Sequence, residues 1–148
     1  KKLNYLILRP SNVYGAFFQV NLKQGLIPNV IYSILNNKSI KVWGSGSAIR
    51  DYVFIDNLID VMTAFMKEDI DSGSYNVGSA TGYSVVEVIK IIENSMDKLA
   101  NIETIEGINE GVKSNILNIA KLQSVMEYRP IDLQFGIRET LKDLNHLI

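Results

Sequence analysis

The sequence predicts a domain of the α/β or α+β class, in which strands and helices alternate along the chain. Two observations carry this prediction. Short apolar runs bounded by Gly, Pro or Asn are typical of buried strands, and longer stretches have apolar residues at helical spacing. The length of 148 residues is that of one domain, and no repeat or long linker divides it. We therefore expect a single unit over residues 1–148.

The composition excludes several classes of protein. With 47% hydrophobic and 21% charged residues, the chain has enough apolar side chains for a core and is not disordered or collagenous. A formal net charge of −1 provides no overall field for nucleic acid or an anionic membrane. The absence of cysteine excludes disulfides, thiolate metal sites and a cysteine nucleophile. No apolar run approaches the ~20 residues of a membrane span.

The first predicted elements are a strand and a helix. Residues 3–8 form a short apolar run that ends before Pro10, which predicts a buried strand. The turn formers of residues 11–15 predict a loop directly at its carboxyl end. Residues 26–35 have apolar side chains at helical spacing, and Pro28 suits the first turn because its missing N–H has no partner there.

Two further strands and a helix follow. Residues 40–43 and 52–55 are short apolar runs on either side of the Gly- and Ser-rich stretch 44–47, so each predicts a strand. Asp56 has the residue type of an N-cap, which predicts a helix over residues 58–66.

The second half of the chain continues the alternation. Residues 74–77 predict a fourth strand, and residues 78–82 predict the loop after it. The stretch from Ser84 to Glu87 has the Ser-x-x-Glu form of a capping box, which predicts a helix from here to about residue 99. Residues 102–105 predict a fifth strand.

The last part of the chain is predicted to contain a loop and two helices. Residues 106–114 include two glycines and predict a loop. Asn118 can cap a helix that ends at Pro130, and apolar spacing from about Gln134 predicts the final helix.

Residue types and spacing identify no metal site and no catalytic group. The only histidine, His146, lies near the chain end, where a precisely positioned base is not expected. Gly44 and Gly46 follow a strand as in a dinucleotide fingerprint, but Ile49 stands at the third glycine position. A strand follows instead of a helix, so no helix N-terminus is available to bind phosphate.

Three residues are candidates for ligand binding. Asn12 follows a strand at the sheet edge where open α/β sheets hold ligands. Arg50 has the geometry to bind a phosphate or carboxylate, and Trp43 can stack on a flat ring. Each has a structural alternative: Asn12 as a turn former, Trp43 as a core residue, and Arg50 as the partner of Asp51 in a surface ion pair. Residue patterns leave these alternatives open.

Six segments follow one another in the order of a known family pattern. They are residues 8–15 (R-P-x-N-V-Y-G), 25–28 (L-I-P), 40–53 (I-x-V-[YFW]-G-x-G-x-x-x-R-D-[YF]-V), 56–58 (V-D-D-V), 75–78 (Y-N-I-G) and 126–130 (L-G-W-x-P). Together they cover nearly the whole chain. The chain therefore resembles the NAD-dependent nucleotide-sugar epimerase/dehydratase family, the extended short-chain dehydrogenases.

The resemblance implies an α/β fold and a partial enzyme. The chain would be the C-terminal substrate-binding portion of a Rossmann-type fold, with the last strand or strands of the parallel sheet and a small mixed α/β region. In the family, an N-terminal half binds NAD through G-x-x-G-x-x-G and supplies the catalytic Tyr-x-x-x-Lys pair. Neither motif occurs in residues 1–148, and the missing initial Met agrees with a truncated chain.

The resemblance also implies roles for individual residues. Pro10 takes the place of a residue whose backbone lies near the nicotinamide of NAD. Asn12 and Arg50 match residues that bind the substrate's diphosphate. The other implied substrate-binding residues are Gly25 and Leu26 in a loop that closes on the nucleotide, Lys41, Val42 and Trp43 in a strand that flanks the nucleobase, and Lys113. Structural roles as strand-end or cap residues are implied for Asp51, Asp56 and Asn76.

One segment departs from the family pattern R-P-G-D-V-R-x-S-x-A-D-x-S-K-A, in which an arginine and an aspartate hold the nucleotide. Ile108 stands at the first arginine position and Gly111 at the first aspartate position. Lys113 replaces the second arginine, and Asn118 replaces the helix-capping aspartate. Lys113 keeps a positive charge for the diphosphate, whereas the ribose contact of the aspartate is lost.

The activity that the resemblance favours is that of a UDP-glucose 4-epimerase with NAD as cofactor. This chain would bind the nucleotide diphosphate of a UDP-sugar and would be inactive alone. A nucleotide-sugar 4,6-dehydratase and a stand-alone, non-catalytic binding module are the alternatives. The resemblance further implies a cytoplasmic enzyme that is a homodimer when intact, without nucleic-acid or membrane partners.

Overall fold

The computed structural model describes residues 5–15, 25–67, 69–106 and 111–145. The strands in these ranges are β1 (Leu6–Pro10), β2 (Asn12–Tyr14), β3 (Ser39–Trp43), β4 (Ile49–Phe54), β5 (Gly73–Val77), β6 (Gly82–Ser84), β7 (Asn101–Ile105) and β8 (Ser114–Asn115). The helices are α1 (Leu26–Leu35), α2 (Ile55–Lys67), α3 (Val85–Met96), α4 (Ala120–Gln123) and α5 (Leu133–Asn145). None of these helices has the length and apolar character needed to cross a membrane.

The strands form three small sheets. β1 pairs with β5 in parallel, and β3 pairs with β7 in parallel. β4 is the centre of the third sheet, with β2 and β8 parallel to it and β6 antiparallel. The strands thus alternate with helices and pair mainly in parallel, which confirms the predicted α/β class.

Apolar side chains pack into two cores, one on each face of β4. Tyr52 and Phe54 point into the larger core, which α1, α3 and α5 also line. Val53 points into the smaller core with side chains of β5, α2 and α4. Because successive residues of a strand face opposite sides, β4 contributes to both cores and carries polar groups between them.

Several sequence predictions are confirmed. α1 has the predicted bounds, and β3, β5 and β7 each begin one residue before the predicted strand. The capping box at α3 is formed: Ser84 Oγ accepts from the N–H of Glu87 at 3.2 Å, and Ser84 N–H donates to Glu87 Oε2 at 2.7 Å. The helix ends at Met96 instead of about residue 99 because Asp97 adopts a left-handed conformation with φ 49°.

The junction of β4 and α2 corrects two predictions. The strand lies at 49–54 instead of 52–55, because pairing with β6 and β8 extends it at its start. The predicted N-cap role of Asp56 is wrong, since α2 already begins at Ile55 and Asp56 lies in its first turn. The predicted loop over residues 11–15 is also wrong in its centre, because β2 pairs there with Tyr52–Phe54.

The fourth helix prediction is right in position and wrong in length. α4 has only four residues, since the N–H groups of Val125 and Met126 both donate to the carbonyl of Leu122 and close a turn. Asn118 still satisfies an N–H of this helix, because its Oδ1 accepts from Ala120 N at 2.9 Å. The final helix begins one residue before the predicted start. Residues 3–4, 107–110 and His146 lie outside the described residues.

β1 is unusually exposed for an apolar parallel strand. Leu6 is 38% exposed and Ile7 is 47% exposed, although they point to opposite faces of the strand. Within the described part of the chain, β5 is its only partner. Strands of parallel sheets are normally covered on both faces, so β1 presents an apolar surface of the kind that other segments cover.

Candidate functional site

A cavity of about 180 Å³ lies where β2 and β4 meet the start of α1. Four residues with implied substrate roles line it together: Asn12, Gly25, Leu26 and Arg50. These residues belong to three segments that are distant in sequence, namely β2, the start of α1, and β4. Their proximity is therefore a result of the tertiary fold. We call this space the substrate cavity. It is the strongest candidate site among the described residues.

Arg50 reaches the cavity from β4. It is paired with Tyr83 of β6 and Asn115 of β8, so these three side chains share one face of the sheet. Its Nη1 donates to the carbonyl of Ile49 at 2.8 Å, which uses one of the five N–H donors of a guanidinium. The half-buried guanidinium is therefore held against the wall of the cavity with donors left for an anion.

Asp51 points to the opposite face of β4 from Arg50, which rules out the surface ion pair. It is completely buried and accepts four hydrogen bonds. Oδ1 accepts from Ser79 N at 2.8 Å and Ser79 Oγ at 2.7 Å, and Oδ2 accepts from Ala80 N at 3.3 Å and Leu117 N at 3.1 Å. The implied structural role of Asp51 thus fits, but inside a strand instead of at a strand end.

Asn76, for which a structural role is also implied, lies inside a strand as well. Its Nδ2 donates to Asn118 O at 2.9 Å.

Asn12 is oriented by the same strand. Its Nδ2 donates to the carbonyl of Asp51 at 2.7 Å, which fixes the amide plane at the cavity wall. The interpretation of Asn12 as a turn former is wrong, because it is the first residue of β2. The second N–H of the amide and the amide oxygen remain available to a ligand.

Gly25 and Leu26 form the other wall of the cavity. Gly25 stands immediately before α1 with φ 85°, a left-handed conformation that favours glycine. An added Cβ would lie 3.0 Å from Pro28 Cγ, so the position also lacks space for a side chain. The glycine therefore sets the direction in which α1 leaves the cavity.

Four residues with implied binding roles do not line the substrate cavity. Lys41 and Trp43 lie exposed on one face of β3, and Trp43 is 50% exposed, which excludes a core role. Val42 points to the other face and is buried in the larger core, so only its backbone can meet a ligand. Lys113 is exposed, and its carbonyl accepts from Ile49 N at 2.8 Å beside Arg50.

Pro10, with its implied cofactor role, is the last residue of β1 and is paired with Val77. Both are therefore at the carboxyl ends of parallel strands, the edge at which open α/β sheets bind ligands. Pro10 is exposed there. The position suits a contact with a cofactor through the backbone.

Sequence reasoning missed the tyrosines of the site. Tyr14 and Tyr52 both line the substrate cavity, and burial raises the pKa of both phenols. Arg50 opposes this effect for Tyr52 by favouring the ionised form, although burial is the larger cause. Both tyrosines therefore remain neutral at physiological pH. The period of two along a strand was the signal that could have placed Tyr52 on the same face as Arg50.

The pattern of a known family matches this chain. The model of the "NAD dependent epimerase/dehydratase family" matches residues 1–78, more than half of the chain. The family is NAD-dependent by description.

The chain is similar to curated enzymes that act on nucleotide sugars. It is 29% identical over 147 residues to dTDP-4-dehydro-6-deoxyglucose reductase of Escherichia coli, covering 97% of this chain and 46% of that protein. It is 26% identical over 153 residues to dTDP-glucose 4,6-dehydratase of Haemophilus influenzae, covering 95% of this chain and 44% of that protein. The chain thus spans about half the length of the curated relatives it matches.

Solved structures show the same fold. UDP-glucose 4-epimerase of Thermotoga maritima, solved with UDP-glucose, superposes with a TM-score of 0.89 at 23% identity, over 98% of this chain and 47% of that chain. UDP-glucuronic acid 4-epimerase of Bacillus cereus, solved with UDP-glucuronic acid and NAD, gives 0.82 at 23% identity, over 97% and 46%. At this identity the likeness establishes the fold alone.

Proposed function

Because this chain belongs to the NAD dependent epimerase/dehydratase family, we propose that it is the substrate-binding portion of a nucleotide-sugar epimerase of the UDP-glucose 4-epimerase type. The observation that carries the proposal is the convergence of Asn12, Gly25, Leu26 and Arg50 on one cavity. We propose that residues 1–148 bind the nucleotide diphosphate and that the reacting groups belong to another half of the enzyme. The structural likeness to epimerases solved with UDP-sugars supports this assignment.

Arg50 is the residue we propose to bind the diphosphate. A guanidinium is permanently charged and presents paired N–H donors that match phosphate oxygens. The second N–H of the Asn12 amide donates to the diphosphate beside Arg50, and the amide plane is already fixed by the hydrogen bond to Asp51 O. Leu26, at the start of α1, covers the nucleotide and keeps water from the charge pair.

The cofactor implied by the family is NAD, which supplies reversible hydride transfer when bound. The described residues fit only one edge of its site. Pro10 lies at the carboxyl ends of β1 and β5, where backbone contacts are available. The sequence has no three-glycine fingerprint, so the main cofactor contacts must come from elsewhere. The exposed apolar surface of β1 is the surface on which we propose that the NAD-binding half docks.

Calorimetric titration of the intact protein with UDP-glucose tests this proposal. Arg50→Ala should weaken binding about 10–100-fold, because a charge-assisted contact contributes about 1.5–3 kcal/mol. Asp56→Ala is the matched control, since Asp56 is exposed in the first turn of α2. Equal effects of the two substitutions would remove Arg50 from the site. The isolated chain should not turn over UDP-glucose, and measured turnover would overturn its assignment as a non-catalytic portion.

The 4,6-dehydratase is the second candidate, and the similarity to the Haemophilus influenzae enzyme favours it. Titration with dTDP-glucose beside UDP-glucose separates the two, because preference for the thymidine nucleotide supports the dehydratase. The coding sequence upstream of Lys1 tests the third candidate, a stand-alone, non-catalytic binding module. A glycine fingerprint and Tyr-x-x-x-Lys there support an enzyme, whereas an unrelated sequence supports a stand-alone binding module.

A further inference from the structure

A second cavity, also of about 180 Å³, adjoins the substrate cavity. Tyr52 lines both of them. The two are also linked through the sheet, because Arg50 of the substrate cavity is paired with Tyr83 of the second one. Each volume lies below the ~300 Å³ at which pockets begin to hold whole small-molecule ligands. Neither cavity alone is therefore large enough for a whole nucleotide sugar.

The lining of the second cavity differs in chemistry from that of the substrate cavity. Its polar groups are four hydroxyls and one carboxylate, and it contains no cationic side chain: Tyr52, Ser79, Thr81, Tyr83 and Asp132, with Pro130, Ile131 and Leu133 completing it. A carboxylate repels phosphate, so the anionic part of a ligand belongs beside Arg50. A carboxylate with neighbouring hydroxyls suits a group that donates hydrogen bonds and also accepts them.

Asp132 is held in a fixed orientation. Its Oδ1 accepts from the N–H groups of Gln134 at 2.9 Å and Phe135 at 3.2 Å, so it is the N-cap of α5. These contacts occupy one carboxylate oxygen, so the lone pairs of Oδ2 remain available as acceptors in a residue that lines the cavity.

Tyr83 supplies the complementary donor. Burial raises the pKa of its phenol, and the negative charges of Asp132 and Glu87 raise it further. The group therefore stays protonated at neutral pH and donates a hydrogen bond. Its carboxylate neighbour Asp132 accepts one, so the pair matches a diol in which each hydroxyl both donates and accepts.

Resting on the proposed function, we propose that the second cavity binds a vicinal diol of the nucleotide sugar, with Asp132 as acceptor and Tyr83 as donor. The diol belongs either to the ribose or to the hexose, since both carry adjacent hydroxyls. Binding the diol here while Arg50 holds the diphosphate would fix the ligand at two points. The contact makes Asp132 and Tyr83 specificity-determining residues.

Calorimetric titration of the intact protein with UDP and with UDP-glucose tests this proposal. Asp132→Ser keeps an N-cap of equal quality but shortens the side chain, so the helix is retained while the contact is lost. Asp143→Ser on the exposed face of α5 is the control. We expect Asp132→Ser to weaken UDP-glucose binding about tenfold, and Asp143→Ser to leave it within twofold. Tyr83→Phe removes only the hydroxyl and should weaken binding in the same direction.

The two ligands identify the source of the diol. Equal weakening for UDP and UDP-glucose assigns the ribose, and weakening for UDP-glucose alone assigns the hexose. If Asp132→Ser and Tyr83→Phe both bind as tightly as the unchanged protein while Arg50→Ala does not, the second cavity is not a diol site and the proposed function stands. If the unchanged protein binds neither ligand, the proposed function fails and this inference fails with it.

Discussion

Replacing Asp51 by Asn should destabilise the fold, although the two side chains have nearly the same shape. The carboxylate is completely buried, and both of its oxygens accept from N–H groups. An Asn side chain offers one oxygen and one NH₂ group. In the better orientation the NH₂ group faces Ser79, whose hydroxyl can turn to accept while its backbone N–H loses its acceptor. In the other orientation, the N–H groups of Ala80 and Leu117 both lose theirs.

The cost follows from these contacts. One orphaned buried N–H costs about 1–3 kcal/mol, and the hydrogen bonds that remain lose the strength that an ionised acceptor gives. The opposing effect is relief of the desolvation of a buried charge. Because four donors compensate that charge, we expect a net loss of about 2–4 kcal/mol.

Urea unfolding followed by circular dichroism measures this loss. With a slope of about 2 kcal/mol per molar urea, the midpoint should fall by about 1–2 M. Asp60→Asn, on the exposed side of α2, is the matched control and should leave the midpoint nearly unchanged. Equal midpoints for the two variants would refute the reasoning, because desolvation would then balance the four hydrogen bonds.

Two further predictions concern packing and pH. Gly136→Ala should destabilise by about 1–3 kcal/mol, because the new Cβ would collide with the hydroxyl of Tyr14. The loss of unfolding free energy should be smaller when Tyr14→Phe removes that hydroxyl. If Gly136→Ala instead stabilises the chain, α5 has room for a methyl group at this position. Hydrogen bonds from Ser84 lower the pKa of Glu87 from its usual 4.5, so their contribution is present above that pH and is lost as the pH falls. The melting temperature of the unchanged chain should exceed that of Glu87→Gln at pH 7, and the difference should shrink as the pH falls below 4.5. A difference that stays constant with pH would contradict this.

Local sequence signals were sufficient for the elements that local interactions determine. α1 and the capping box of α3 depend on side-chain spacing and on contacts within one turn, both of which the sequence contains. β2, β6 and β8 were missed because each has only two or three residues. Such strands exist through pairing with β4, a distant segment, and no local pattern specifies that register.

The candidate site could likewise be predicted only in part. Arg50 and Asn12 were identified from their residue types and the family pattern, and the fold brings both to one cavity. The second cavity was not predicted, because its members come from β4, the loop after β5, β6 and the segment around the start of α5. Asp132 had a recognisable signal as a polar residue just before the last helix, but that signal indicated a cap and not a ligand contact.

The exposed edge of β1 leads to an expectation for how the isolated chain behaves at high concentration. Among the described residues, β1 pairs only with β5, and an edge with Leu6 and Ile7 on opposite faces is a template on which another extended chain can add. No charged side chain interrupts the strand before Arg9, so nothing in its first three residues opposes such pairing. If the proposed function holds, self-association through this edge would compete with docking of the proposed NAD-binding half. The two cores thus stabilise the folded chain, whereas the exposed edge of β1 is the place at which a further strand can add.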